Sequence, residues 1–200
     1  MTSLFKDDEI EILRQLIETG VNLAADKLGQ LSNCPWQLIS CSVEELSVVK
    51  VLSLFYKDKS PHAAVHLKSR SLLPVELLIL FPSSSSIEVT DLIVNQTESK
   101  LSTIADRQKP IIEEVGNIMG QGILRALANT LNISIILSSP IFTRGPKSKL
   151  LELAFGEFDG RTKSMILSRI DMSSKSKTAD CSVLLILDVD LVRRLLKATS

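Results

Sequence analysis

Val75-Glu76-Leu77-Leu78-Ile79-Leu80-Phe81-Pro82 is a near-continuous apolar run, and its centre, Leu77-Leu78-Ile79-Leu80, returns as Leu184-Leu185-Ile186-Leu187 near the other end of the chain. Each copy reads as a strand, over Pro74–Phe81 and Ser182–Val189. Each is followed by helical text. Behind the serine run Ser83–Ser86, read as a cap, come Ile87, Val89, Leu92, Ile93 and Val94. Behind the second copy, Leu191, Leu195 and Leu196 predict a helix from about Asp190.

What precedes each copy is also similar. Asp7 to about Leu31 carries Ile10, Leu13, Leu16, Ile17, Leu23, Ala24 and Leu28 at helical spacing, with Asp7 or Asp8 as cap. Trp36–Ser42 is a candidate strand, Val43–Tyr56 suits a short helix or a buried strand, and His62–Lys68 alternates as a strand. In the second half a helix is expected after Pro110, a residue suited to a first turn, through Ile111, Ile112, Val115, Met119, Ile123, Leu127 and Leu131. Strand-like text follows at Ile133–Phe142, Leu150–Phe158 and Ser164–Met172, and the Lys/Ser-rich Ser173–Asp180 reads as a hairpin loop. A unit of helix, strands and helix therefore occurs twice, over about 5–97 and 107–200. The expected fold is α+β: two pseudo-symmetric repeats sharing one mainly antiparallel sheet, with long helices carrying the motifs, in a single domain over residues 1–200.

The composition is that of a globular chain: 200 residues, 44% hydrophobic, 23% charged, mean hydropathy +0.22. Lys and Arg number 23 and so do Asp and Glu, so no excess positive charge points to nucleic acid or a membrane surface. Cys34, Cys41 and Cys181 lack CxxC spacing, and only His62 and His66 are there to assist them. That argues against a disulfide framework or structural zinc, and fits a reducing cytoplasm. The start is acidic rather than basic and apolar, and the longest apolar run, near Leu72–Pro82, is broken by Pro74 and Glu76, short of the ~20 residues of a membrane helix. A soluble cytoplasmic protein is expected.

The helix after Pro110 sorts by side. Ile112, Val115, Met119, Ile123 and Ala126 fall on one face; Pro110, Glu114, Asn117, Gln121, Arg125 and Ala128 fall on the other. Glu114 and Asn117 are thus outward neighbours at i,i+3. An amide donates and accepts hydrogen bonds at once and can hold a water, while a carboxylate can grip a presented ammonium. Gly116, Gly120 and Gly122 weaken this helix, which points to close packing on another helix or to close approach by a partner.

Glu114-Val115-Gly116-Asn117-Ile118, then Ala126-Leu127 and Pro140, resembles the active-site signature of the CheC/CheX/FliY chemotaxis phosphatases: Asp or Ser, three residues, Glu, two residues, Asn, and twenty-two residues to a Pro. Leu77-Leu78-Ile79-Leu80-Phe81-Pro82 before an Ile/Leu-rich helix resembles the same family's strand-to-helix passage. The chain departs from the signature at Pro110, which stands in the Asp/Ser slot. In the first half Glu18-Thr19-Gly20 matches Glu114-Val115-Gly116, but Val21 stands where Asn117 would, Asn22 comes one place later, Arg14 holds the leading slot, and Glu44 stands at the proline distance. Glu18 and Asn22 are accordingly read as a degenerate second site.

The resemblance implies a phosphatase acting on the aspartyl phosphate of a CheY-type receiver, which brings the phosphoaspartate, Mg²⁺ and a lysine. Asn117 would fix the in-line water and Glu114 would bond the receiver's lysine, with no cofactor or metal on this chain. The alternative is a catalytically silent CheC-like module that binds a receiver, a CheD-type deamidase or the flagellar switch, as monomer or homodimer. Among other polar residues, a His62/His66 metal pair lacks a third ligand, Cys34 and Cys41 read as core residues, and Arg144, Lys147 and Lys149 read as a solvated loop.

Overall fold

The computed structural model describes residues 5–69, 75–94, 104–155, 163–174 and 177–188, with 193, 194 and 197. Among these residues six strands form one sheet in the order β1-β5-β6-β3-β2-β4, with β1 Trp36–Leu46, β2 Pro61–Lys68, β3 Val75–Pro82, β4 Ile141–Pro146, β5 Lys163–Ser174 and β6 Lys177–Asp188. Every adjacent pair is antiparallel. Exchanging β1 with β4, β2 with β5 and β3 with β6 leaves that order unchanged, merely read from the other edge.

The two matching apolar runs are the central strands, paired through Leu77↔Leu185 and Leu78↔Leu184. Their apolar continuity has a cause: both faces of the sheet are covered. Leu77, Ile79, Phe81, Val183, Leu185 and Leu187 point into a core roofed by the long helices α1 (Asp7–Ser32) and α4 (Ile104–Leu131) with α3 (Ser83–Val94). Leu78, Leu80, Leu184 and Ile186 point the other way, onto α2 (Val48–Lys57) and α5 (Lys147–Phe155).

Both long helices end alike. Asn33 and Asn132 adopt left-handed conformations, and the next amides, Cys34 and Ile133, donate back to Gly29 and Ala128 at 3.2 and 3.0 Å. Asparagine tolerates this conformation, and the back-bonds satisfy carbonyls the helix leaves open.

Several expectations need correcting. Lys6 holds the N-cap position of α1, its N–H donating to the Glu9 carboxylate at 2.8 Å, while Asp7 and Asp8 fill the first turn. The ambiguous stretch Val43–Tyr56 divides: β1 runs to Leu46, Ser47 caps, and α2 buries Val51 and Phe55 one turn apart. The serines do not precede α3 but form its first turn, their hydroxyls reaching Pro61, Asp180 and Gln108. Helix α4 starts before Pro110, which lies inside it. Residues 133–140 are mostly irregular, touching the sheet through the Ser69↔Leu137 bridge, and pairing resumes only at Ile141. Leu150 to Phe155 belongs to a helix, not a strand. The expected Ser173–Asp180 loop is mostly strand, closing from Ser174 to Lys177. Arg144 lies on β4 and Lys147 and Lys149 on α5; Lys147 pairs with Asp58 at 2.8 Å and sits over the Phe55 ring. The expected C-terminal helix through Leu191, Leu195 and Leu196 lies outside the described residues. Among the described residues, no helix is long and apolar enough to cross a membrane.

Candidate functional site

Helix α4 lies on the sheet because its inner stripe is apolar. Ile112, Val115, Met119 and Ile123 are buried, and the opposite stripe is left to solvent: Pro110, Glu114, Gln121 and Arg125 are exposed and Asn117 half-exposed. Glu114 and Asn117 therefore project outward one turn apart. Among the described residues no hydrogen bond or ion pair engages the Glu114 carboxylate.

Asn117 is held from one side. Its Oδ1 accepts from Gln121 Nε2 at 3.1 Å, a residue one further turn along α4. That contact turns the amide NH₂ away from Gln121 and leaves the second lone pair of Oδ1 open, so the group can still donate and accept toward an incoming molecule. Gln121 is the residue a motif reading passes over. Its i,i+4 spacing from Asn117 was the available signal.

Asn117 also lines an open groove of about 540 Å³ between α4, the end of α1 and the irregular segment after α4, whereas Glu114 lies outside its lining. Asn117, Gln121 and Arg125 form the α4 wall, Leu23 and Lys27 come from α1, and Ile133–Ser138 forms the far side. Pro140, the last residue of the signature, is half-buried just before β4 begins. It has no N–H to give a ladder, which suits a position where pairing is interrupted.

The first-half residues are placed differently. Glu18 is half-buried and Asn22 exposed on α1, and Asn22 lines a separate groove of about 580 Å³ with Trp36, Gln37 and Leu38. Glu18 is already occupied: Arg14 donates to it and also to Glu11. The same bonding holds the Glu11 carboxyl at about 2 and raises Arg14 further. The two halves thus contrast at the slot preceding the glutamate, where Arg14 ties Glu18 down and Pro110 has no group to reach Glu114.

The glycines of α4 face inward. A Cβ on Gly122 would lie 2.3 Å from the Gly20 carbonyl oxygen, and one on Gly20 would lie 2.4 Å from Ile123 Cα, so backbone meets backbone where α1 and α4 touch. Gly116 and Gly120 admit Val65 and Leu67 of β2, each closer than 3 Å to a notional Cβ. Close approach by a partner is therefore not their use; they let the helix settle on its own sheet and on α1.

His62 and His66 do not converge. His62 Nδ1 lies 3.0 Å from the Ser60 carbonyl oxygen, and His66 Nε2 lies 3.2 Å from Glu76 on β3. Among the described residues no group of three or more His, Cys, Asp or Glu is placed to hold a metal. Cys34, Cys41 and Cys181 form no disulfide. Burial pushes the Cys41 thiol up to about 11 and the Cys181 thiol higher still, the reverse of what a nucleophile needs.

No family model matches the chain. A Halobacterium salinarum protein described as a candidate CheY-P phosphatase, CheC1, is 25% identical over 144 residues, 72% of this chain and 73% of that one. The structure of Thermotoga maritima FliY superposes with a TM-score of 0.70, covering 98% of each chain at 13% identity. FliM from H. pylori, in a complex with FliG, superposes with a TM-score of 0.63 at 8% identity, covering 96% of this chain and all of that one.

Proposed function

We propose that this chain, which has the fold of the CheC/CheX/FliY family, is a phosphatase hydrolysing the aspartyl phosphate of a CheY-type receiver, with one working site on α4. The observation that carries the reading is the outward pair itself: a free Glu114 carboxylate and, one turn on, an Asn117 amide oriented by Gln121 at the mouth of an open groove.

In this reading the receiver brings its phosphoaspartate, Mg²⁺ and lysine, and α4 lies against them. Glu114 accepts from the lysine ammonium and sets the register. Asn117 holds a water opposite the acyl oxygen. The water oxygen forms a bond to phosphorus as the phosphorus–acyl oxygen bond breaks, leaving the aspartate carboxylate and inorganic phosphate, which takes up both protons of the water and then equilibrates with solvent. Asn117 contributes by fixing the attack geometry, which removes entropy otherwise lost at the barrier, and by directing a dipole at the water. It needs no pKa tuned for proton transfer.

Adding the chain to a phosphorylated cognate receiver with Mg²⁺ and following loss of label tests this. Acceleration that Asn117→Ala abolishes is expected. Losing one aligned polar group of this kind costs about 3 kcal/mol in the barrier, roughly a hundredfold in rate. Wild-type turnover by Asn117→Ala would overturn the assignment.

A second reading rests on Pro110. With no polar side chain in the leading slot, the same surface serves as a silent docking module for a receiver, a CheD-type deamidase or a flagellar switch component, as FliM docks FliG. Tight binding of phospho-receiver without any loss of label would select it.

A further inference from the structure

We infer that Lys27 and Arg125 form a cationic clamp that docks the carboxylate-rich face surrounding a receiver's aspartyl phosphate; this rests on the receiver-directed reading of the α4 site. The two cations come from different helices yet line the same groove as Asn117. No Asp or Glu is among the residues lining that groove, although acidic and basic residues are equal in number over the chain.

Neither cation is consumed locally. Both are exposed, and no ion pair among the described residues takes either. The sequence explains why: the residues three and four places away from Arg125 are Gln121, Gly122, Ala128 and Asn129, and those around Lys27 are Leu23, Ala24, Gln30 and Leu31. A helix neutralises its cations through acidic residues at those spacings. Arg14 is neutralised in this way, by Glu11 and Glu18. Arg125 and Lys27 are therefore left with their fields directed at the groove.

The partner's chemistry supplies the complement. An aspartyl phosphate that works with Mg²⁺ needs carboxylates beside it, because Mg²⁺ is held by hard oxygens from carboxylates and phosphate. Arg125 lies two turns beyond Asn117 on the same stripe, about 12 Å along the axis. At that distance it meets the rim of such a face while Asn117 meets its centre. Charges at a rim act through encounter and salt dependence more than through the chemical step.

The test titrates CheY-type receivers of the source organism, loaded with beryllium fluoride and Mg²⁺, against wild type, Lys27→Glu, Arg125→Glu, their double variant and Arg125→Lys, at low and high salt. The double reversal should weaken binding by about tenfold or more at low salt, with the difference shrinking as salt is added, and Arg125→Lys should keep most of the affinity. In turnover assays the loss should fall mainly on KM. Wild-type binding that the double reversal leaves unchanged overturns the clamp alone. Absence of receiver binding by wild type overturns both the clamp and the receiver-directed reading. Salt-sensitive self-association removed by the reversals would give the groove to a second copy of this chain and would also overturn it.

Discussion

In the proposed role Asn117 must present its amide in one orientation, and the side chain bonded to that amide is Gln121. Gln121→Ala should therefore lower kcat by several-fold, less than Asn117→Ala, because the amide keeps its place but loses its fixed rotamer. Single-turnover loss of label from phospho-receiver measures this, and a rate equal to wild type would remove Gln121 from the site. Glu114→Ala should weaken complex formation as well as rate; undiminished retention of phospho-receiver in a pulldown would count against the anchor role. The outward pair was legible in the sequence because helical periodicity assigns faces without further information. The Arg14 clasp on Glu18 was not, since choosing a rotamer depends on competing partners.

Between elements, the contact of α1 with α4 rests on glycine. Gly122→Ala would drive a methyl to within 2.3 Å of the Gly20 carbonyl oxygen, where neither backbone can yield cheaply. A loss of about 1–3 kcal/mol in urea unfolding is expected, followed by the fluorescence of the buried Trp36. Gly29→Ala is the contrasting case. Its Cβ would stand 3.4 Å from its nearest neighbour, ordinary contact, so relief of backbone entropy should leave stability unchanged or raised by up to about 1 kcal/mol. If both substitutions had the same effect, packing at this contact would not be the reason for the glycines. The sequence flagged three glycines in one helix, but only the packed structure shows that they face Val65, Leu67 and Gly20 rather than solvent.

Across the whole molecule, the second layer is tied together by Lys147 and Asp58, which join the start of α5 to the end of α2. The Lys147 ammonium first, and then the Ser60 hydroxyl, hold the Asp58 carboxyl well below its usual range. A carboxyl depressed in the folded state contributes stability above its unfolded value near 3.8, and that contribution is lost as pH falls through the folded value. Asp58→Asn should thus cost up to about 1 kcal/mol near neutrality, the pair being partly exposed and screened, and should cost progressively less below about pH 4. Urea unfolding of both forms along that pH range measures it, and a difference independent of pH would show that the pair is not the cause.

Hydrophobic order along the chain was enough to give the α+β class, the two central strands, the long helices and the outward face bearing Glu114 and Asn117. These follow from local periodicity, which one strand or one helix imposes on its own residues. Short apolar stretches were another matter. Leu150 to Phe155 becomes helix because Leu150 and Leu151 seal the second face of the sheet, and Ile133–Ser138 becomes a groove wall because it meets the end of β2 through the single bridge Ser69↔Leu137, the regular ladder with β2 starting at Ile141. Strand order, the glycine contact and the meeting of Lys27 with Arg125 depend on residues far apart in sequence. Only packing, which settles which surfaces share a space, could decide them.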